Sequence, residues 1–390
     1  MITLTEQAGS PPDLTERIRR LDGSHCDGGS FGDIYKCLYD SPSGTIEVAV
    51  KVLRFPPDNE EAVEKMEKTL HRELGIWKRL VHSNVVPFLG VTSGFGDYMS
   101  LVSKWMPNGN LGVYLKEHDD RLSVVDRFHL LEGTIAGLRY LHSNSIIHGD
   151  LTPGNVLVDG SLCAQLADFG YASVTGTLPK SLEYLFWATQ CPGAVRWAAP
   201  ERFHNEDHVV YQPTTKSDIY SFGCIMLQVL SGKEPWWEIN TCLIPVRLYQ
   251  GKNPGRPSSR VINDDHWELI QSCWLPVDKR LSAFQLEEKI APILALYHAS
   301  GVKSQNWDAT YTKCVISREE GNDTVWTKAD ISDLLSYIQH SDSASQMIAE
   351  LSGSLECAWS ENGHARRCTW TGQQDTLRLG GFRAITLALP

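Results

Sequence analysis

The stretch HGDLTPGNVLVDGSLCAQLADFG, His148 to Gly170, constrains this chain more than any other. It sets two aspartates and an asparagine on loops around two short apolar runs, VLV and AQLA, which read as strands. Asp150, Asn155 and Asp168 can then hold a magnesium ion and a nucleotide together. Phosphoryl transfer asks little covalent chemistry of a protein: a positioned hydroxyl, and cations that neutralise the charge on the moving group. Asp150 can orient that hydroxyl and accept its proton, while Asn155 and Asp168 supply the hard oxygen ligands that suit magnesium. Each of the three is common in turns taken singly. At these spacings, separated by strand-like runs, they are not explained by turn composition.

The rest of the chain bounds the setting. Its 390 residues are too many for one ordinary core and imply two or three domain-sized units. With 36 basic against 47 acidic residues the net charge is −11, which argues against nucleic acid or an anionic membrane as the main partner. No apolar run approaches the length of a membrane span, and the opening MITLTEQAGSPPDLTER lacks the pattern of a secretory signal. The ten cysteines form no CxxC pair, so reduced thiols in a cytoplasmic protein are expected. Cys357, His364 and Cys368 lack zinc-site spacing.

Organisation changes along the chain. Residues 1–14 read as a flexible leader. Two β-rich runs, 32–40 and 45–53, flank the turn signal SPSG, and NVVPFLGV and YMSLVSKWM read as further strands. Between them Val63, Met66, Leu70, Leu74 and Trp77 recur at helical spacing behind Asn59, Glu60 and Glu61. After Gly109 the pattern becomes helical, with the stripe Val124, Phe128, Leu131, Ile135 and Leu138 and later segments at 216–231, 264–273 and 281–297. The expected fold class is therefore α+β with two lobes: a small antiparallel-sheet lobe with one helix (15–105) and a larger, mostly helical lobe (106–297). Beyond 298 the periodicity weakens, apart from a possible helix at 330–352, and the role of the extension 298–390 is not legible.

Two further features carry chemistry. The stretch DGGSFGDIY (27–35) places glycines between strands, where backbone N–H groups can approach phosphate oxygens; the same glycines suit a plain hairpin. Lys51 ends the alternating VAVK, and Glu73 stands beside the helix's apolar stripe. A carboxylate partner would keep such a lysine protonated and in place. Taken alone, Lys51 also reads as a solvated strand lysine, and Glu73 as an exposed helix residue like Glu60 and Glu64.

Six elements in family order resemble the eukaryotic protein kinases: VAVK, HGDLTPGN, DFG (168–170), GAVRWAAPERF (193–203), SDIYSFGCIMLQVLSGKEPWW (217–237) and CWLPVDKRLSAFQL (273–286). HRELGIWKRLVHSNVVPFLGV and the RW pair resemble the tyrosine-kinase-like branch of Ser/Thr kinases. The resemblance covers about residues 15–297 and implies transfer of the γ-phosphoryl group of ATP, with Mg2+, to Ser/Thr hydroxyls of a protein substrate. It implies that Lys51, paired with Glu73, contacts the α- and β-phosphates, that Asp150 is the catalytic base, and that Asn155 and Asp168 hold the metal. It also implies nucleotide contacts from Gly29, Ser30, Phe31, Gly32 and Ile34, adenine packed between Ala49 and Leu157, Ser103 as gatekeeper, and Lys104 and Met106 at the hinge. Glu201 would pair with Arg280, Asp218 would brace the catalytic loop, and His148 and Phe169 would pack inside. Oligomeric state leaves no trace in the sequence.

The chain departs from that pattern at four places. Asp27 replaces the first loop glycine, and Gly149 the arginine of the usual HRD, which in many kinases meets a phosphorylated activation loop. From this we expect an activity that does not depend strongly on phosphorylation of the activation segment at Thr175, Thr177, Ser181 or Tyr184. Thr152 and Ala194 replace a lysine and a threonine that help stabilise the transferring group, which implies a slower enzyme. Two alternatives follow: a catalytically weak or inactive scaffold that binds ATP, and a small-molecule kinase of the aminoglycoside or choline type. The latter also opens on HGDxxPGN but is not expected to combine DFG, APE and the SDIYSFG helix.

Overall fold

The computed structural model describes residues 10–29, 32–53, 70–71, 73–96, 98–174, 194–203, 212–258, 260 and 262–299, the backbone alone at 22–29 and in short strands beyond 368. Ser30, Phe31, Val63, Met66, the possible helix at 330–352, the Cys357 group and the four activation-segment hydroxyls lie outside these residues, as does the side chain of Asp27. The chain divides into two compact units. The first holds Met1–Thr189, Trp197–Pro235 and Gly255–Arg318; the second holds Gln190–Arg196, Trp236–Pro254 and Glu319–Pro390.

In the first unit the alternating runs form a five-stranded antiparallel sheet of β1 (Ile18–Gly29), β2 (Gly32–Ser41), β3 (Gly44–Leu53), β4 (Phe88–Thr92) and β5 (Ser100–Lys104), in the order β1-β2-β3-β5-β4. The SPSG turn joins β2 to β3 as the sequence implies, with Ser41 opposite Gly44. The period of two puts Val48 and Val50 into a core with Cys37, Val102 and Leu14. Ala49 and Lys51 consequently fall on the opposite face. The last residues of the expected leader are tied to this sheet. Leu14 N–H donates to Val91 O and Val91 N–H to Pro12 O, each at 2.8 Å, and Leu14 is buried.

The helical lobe is built from α1 (Leu111–His118), α2 (Val124–Ser143), α3 (Thr215–Ser231), α5 (Asp264–Cys273) and α6 (Ala283–Ala299). Side-chain caps start four of them: Asn110, Ser123 with Asp126, Thr214 with Ser217, and Asn263. The stripe of Phe128, Leu131, Ile135 and Leu138 on α2 is fully buried, while α3 is buried nearly all round and forms the centre of the lobe. Gly137 on α2 permits close approach: a Cβ there would stand 2.5 Å from Asn84 O and 3.0 Å from Leu166 Cγ. Leu166 belongs to the hairpin of β7 (Val156–Val158) and β8 (Ala164–Leu166), and a second short pair joins β6 (Ile146–Ile147) to β9 (Ser173–Val174). The two-lobed α+β expectation is thus met.

The second unit contains the short helix α4 (Ile244–Tyr249) and a three-stranded sheet of β10 (Thr369–Trp370), β11 (Thr376–Arg378) and β12 (Ile385–Thr386). Within it Arg196 donates to Trp236 O (3.0 Å) and Thr241 Oγ1 (2.9 Å). Among the described residues no helix is long and apolar enough to cross a membrane, and Cys163, Cys224, Cys242 and Cys273 are free thiols.

Candidate active site

The loop from β6 to β7 carries His148 to Asn155, and a buried carboxylate sets its start. Asp218, in the first turn of α3, accepts the backbone N–H of His148 and of Gly149 at 2.9 Å each, and His142 Nε2 lies 2.9 Å from the same carboxylate. Gly149 takes φ +81°, and a Cβ there would stand 2.8 Å from Tyr171 O. Side chains rarely tolerate either condition. His148 is fully buried: Asp150 N–H points at its Nδ1 (3.4 Å), so Nε2 carries the proton and donates to Ala167 O at 3.1 Å. Its ring lies 5.7 Å from that of Phe169. A histidine satisfied on both nitrogens and closed off from solvent is a packing residue.

Asn155 closes the loop. Its Nδ2 donates to Asp150 O (2.8 Å) and Asp150 Oδ2 (3.0 Å), and its own carbonyl accepts Ala167 N–H at 2.9 Å. The amide is thereby oriented, with Oδ1 turned to the remaining side. Asp168 follows the β7–β8 hairpin in a left-handed conformation, φ +60°. Non-glycine residues held there cost about 1–3 kcal/mol and cluster at functional sites.

Lys51 joins the two lobes. Its Nζ lies 3.0 Å from Glu73 Oε1 and 3.0 Å from Asp168 Oδ1. Glu73 sits on the helical residues 73–77 and is 1% exposed, so the sequence alternative of a solvated glutamate does not hold. Burial disfavours the ammonium, but Asp168 and Glu73 outweigh it and hold Lys51 protonated well above the ordinary lysine range. The two aspartates are driven apart. Burial raises the pKa of Asp150, with the charge of Asp168 adding to the rise against the pull of Arg202 and the Asn155 hydrogen bond. Burial also opposes ionisation of Asp168, yet the charge and hydrogen bond of Lys51 win and lower it. One carboxyl is thus kept as a strong anion and its neighbour is made the better proton acceptor.

The donor set fits magnesium and a nucleotide. Asn155 Oδ1 has no hydrogen-bond donor among the described residues, and Lys51 and Gly170 engage the Oδ1 side of Asp168. An asparagine oxygen and one carboxylate suit a cation that completes its shell with substrate phosphates and water. No cluster of three or more His, Cys, Asp or Glu suited to a metal occurs among the described residues, so a closed protein cage is not what is built. Ala49 lies opposite Ser103 in the β3–β5 register, and Ile34 opposite Lys51. Ser103 is buried; Ala49 and Leu157 are half-buried apolar residues, the latter between fully buried Val156 and Val158. At the expected hinge Lys104 N–H is taken by Pro87 O (3.2 Å), whereas Met106 N–H meets no acceptor among the described residues. Gly29 pairs with Gly32 across the β1–β2 turn. Away from the site, Arg280 forms a two-pronged pair with Glu201 (2.6 and 2.8 Å).

One residue beside this centre was not singled out by the sequence. Trp77, read there only as part of an apolar stripe, packs its ring against Phe88 (5.4 Å) and Phe169 (5.8 Å) and donates from Nε1 to Val86 O at 2.7 Å. Helical spacing signals burial and carries no information about where an indole N–H points.

Residues 23–290 match the family model described as protein tyrosine and serine/threonine kinase. A putative serine/threonine-protein kinase/receptor R831 of Acanthamoeba polyphaga mimivirus is 31% identical over 63% of this chain and 14% of its own length. The serine/threonine-protein kinase STY46 of Arabidopsis thaliana is 32% identical over 63% of this chain and 39% of its own. The serine/threonine/tyrosine-protein kinase HT1 of the same plant is 30% identical over 63% of this chain and 59% of its own. The chain thus spans less than two thirds of the length of each of these three relatives.

Proposed function

This chain belongs to the protein tyrosine and serine/threonine kinase family, and from that premise we propose that it transfers the γ-phosphoryl group of ATP to serine or threonine hydroxyls of protein substrates. The observation that carries the proposal is Lys51, held at 3.0 Å from both Glu73 and Asp168. Pro153, in place of the residue of the tyrosine-kinase loop, supports a Ser/Thr acceptor.

The residues divide the work as follows. Lys51 stays protonated against burial and meets the phosphate oxygens, with Glu73 fixing its direction. Asn155 and Asp168 would hold magnesium, which neutralises charge on the phosphates when bound. Asp150, its carboxylate steadied by Asn155 Nδ2, orients the acceptor hydroxyl and takes its proton. The hydroxyl oxygen forms its bond to the γ-phosphorus as the bond from phosphorus to the bridging oxygen breaks, and ADP leaves with that electron pair. Met106 N–H offers a donor to the adenine edge, and Ala49 and Leu157 cover its faces.

The test is transfer of labelled γ-phosphate by the full chain to a generic basic protein with magnesium, Asp150→Asn alongside. Transfer that vanishes in the variant, with acid-stable label on serine or threonine, is the expected result. Label on tyrosine would reassign the acceptor. Magnesium-dependent ATP binding without transfer across several substrates would replace the proposal by the scaffold reading, with Thr152 and Ala194 as the lesions.

A further inference from the structure

Asn108 stands two residues past Met106, and its side chain reaches out of its own turn to another element. Nδ2 donates to Asp159 O at 2.6 Å, and the backbone N–H donates to Val158 O at 3.3 Å. Val158 N–H donates in return to Gly109 O at 2.9 Å, and Asn110 faces Leu157 across an antiparallel bridge. Residues 108–110 thus run as a short added strand along β7. Gly109, left-handed at φ +65°, donates to Met106 O at 3.1 Å and so closes a tight turn behind the residue that offers its N–H to adenine.

The acceptor of the Asn108 amide is itself held in place. The Asp159 carboxylate takes Ser161 N–H (2.8 Å) and Cys163 N–H (3.0 Å) on Oδ1, and Gln165 Nε2 (3.1 Å) on Oδ2. Asp159 N–H donates to Cys163 O, and Asp159 O takes Leu162 N–H besides the asparagine amide. A carbonyl locked this way stays with β7 and β8, so the segment carrying Met106 must come to it. Asn108 is only half-buried, so water can replace its amide at little cost to the fold. The bond therefore does more to direct the chain than to stabilise it.

We propose that Asn108 is a positioning residue for nucleotide recognition: by tying the Met106 turn to the β7–β8 turn, it keeps the Met106 N–H in register with the Leu157 side chain. Donor and apolar floor then address one and the same adenine ring, and the base-dependent part of nucleotide affinity depends on the tie. The inference deepens the kinase reading and rests on it for adenine as the ligand.

The test compares two probes on the whole chain, ATP with magnesium and inorganic tripolyphosphate with magnesium, by titration calorimetry. Asn108→Ala removes the amide and nothing else. Loss of one directing hydrogen bond should weaken ATP about five- to tenfold while tripolyphosphate binds as before. In transfer assays the KM for ATP should rise with kcat little moved, the signature of binding lost equally from ground and transition states. Equal weakening of both probes would overturn the proposal, as would a lower melting temperature with ATP affinity unchanged. Should the variant fail to fold, amide exchange in the unaltered chain decides. ATP should slow exchange at Gly109 and Val158 more than tripolyphosphate does, and equal protection by the two probes overturns the proposal. A wild type that transfers no phosphate, yet shows the loss of ATP affinity in Asn108→Ala, would sink the transfer reading and leave this one standing.

Discussion

Gly149→Ala isolates the contribution of one backbone position. The backbone there is left-handed, φ +81°, which costs an L-residue about 1–2 kcal/mol. The added Cβ would also stand 2.8 Å from the Tyr171 carbonyl oxygen, and relieving such a contact by moving backbone costs roughly 1–2 kcal/mol more. The sum is about 2–4 kcal/mol, and a domain of this size should melt some 3–7 °C lower. The shift would also pull on the Gly149 N–H to Asp218 hydrogen bond and so displace Asp150, lowering transfer. Calorimetric melting gives the first number and labelled phosphate the second. Gly75→Ala is the internal control: nothing lies within 4 Å of a Cβ there, and alanine in a helix should gain about 0.5–1 kcal/mol. A Gly149→Ala chain that melts with the wild type would refute the reasoning. So would a Gly149→Arg chain more stable than the wild type, because the arginine usual in the family would then fit this loop.

Three further outcomes are expected. Replacing Glu201 with alanine leaves Arg280, whose side chain is 2% exposed, without its carboxylate; the urea midpoint should drop by the equivalent of about 3 kcal/mol, and a drop below ~1 kcal/mol would mark the pair as dispensable. Because the folded-state pKa of Asp150 is raised, ionising it costs stability at neutral pH, a cost that disappears as pH falls below the ordinary carboxylate range. Asp150→Asn should therefore melt higher than wild type near pH 7–8, with the gap closing toward about pH 4; a gap independent of pH contradicts this. Changing Thr175, Thr177, Ser181 and Tyr184 together to non-phosphorylatable residues should leave the transfer rate within about threefold, given no Gly149 side chain to meet a phosphate; a collapse would show that another residue reads the modification.

What the sequence disclosed follows from what its patterns encode. Alternation in VAVK placed Val48 and Val50 inside and Lys51 on the other face, and helical spacing placed Glu73 within reach. Resemblance alone linked Asp218 to the His148 loop and Glu201 to Arg280, because pairs 70 and 79 residues apart leave no local trace. Three features escaped it. Asp168 adopts a left-handed backbone that its residue type does not announce. Trp77 looked like one more apolar residue in a stripe. Leu14 followed a polar, proline-containing run, so nothing nearby marked it as part of the sheet's core.

That last feature bears on how the chain can be cut. β4 is the outer strand of its sheet, and residues 12–14 occupy its free side through the two bonds to Val91. The family match begins at residue 23. A chain trimmed to that boundary would lose Leu14 from the core and bare the N–H and C=O of Val91, the kind of edge on which a neighbouring molecule adds a strand. Residues upstream of the family boundary thus cover this edge, and a shortened protein that aggregates would be reporting a missing cover rather than a failed fold.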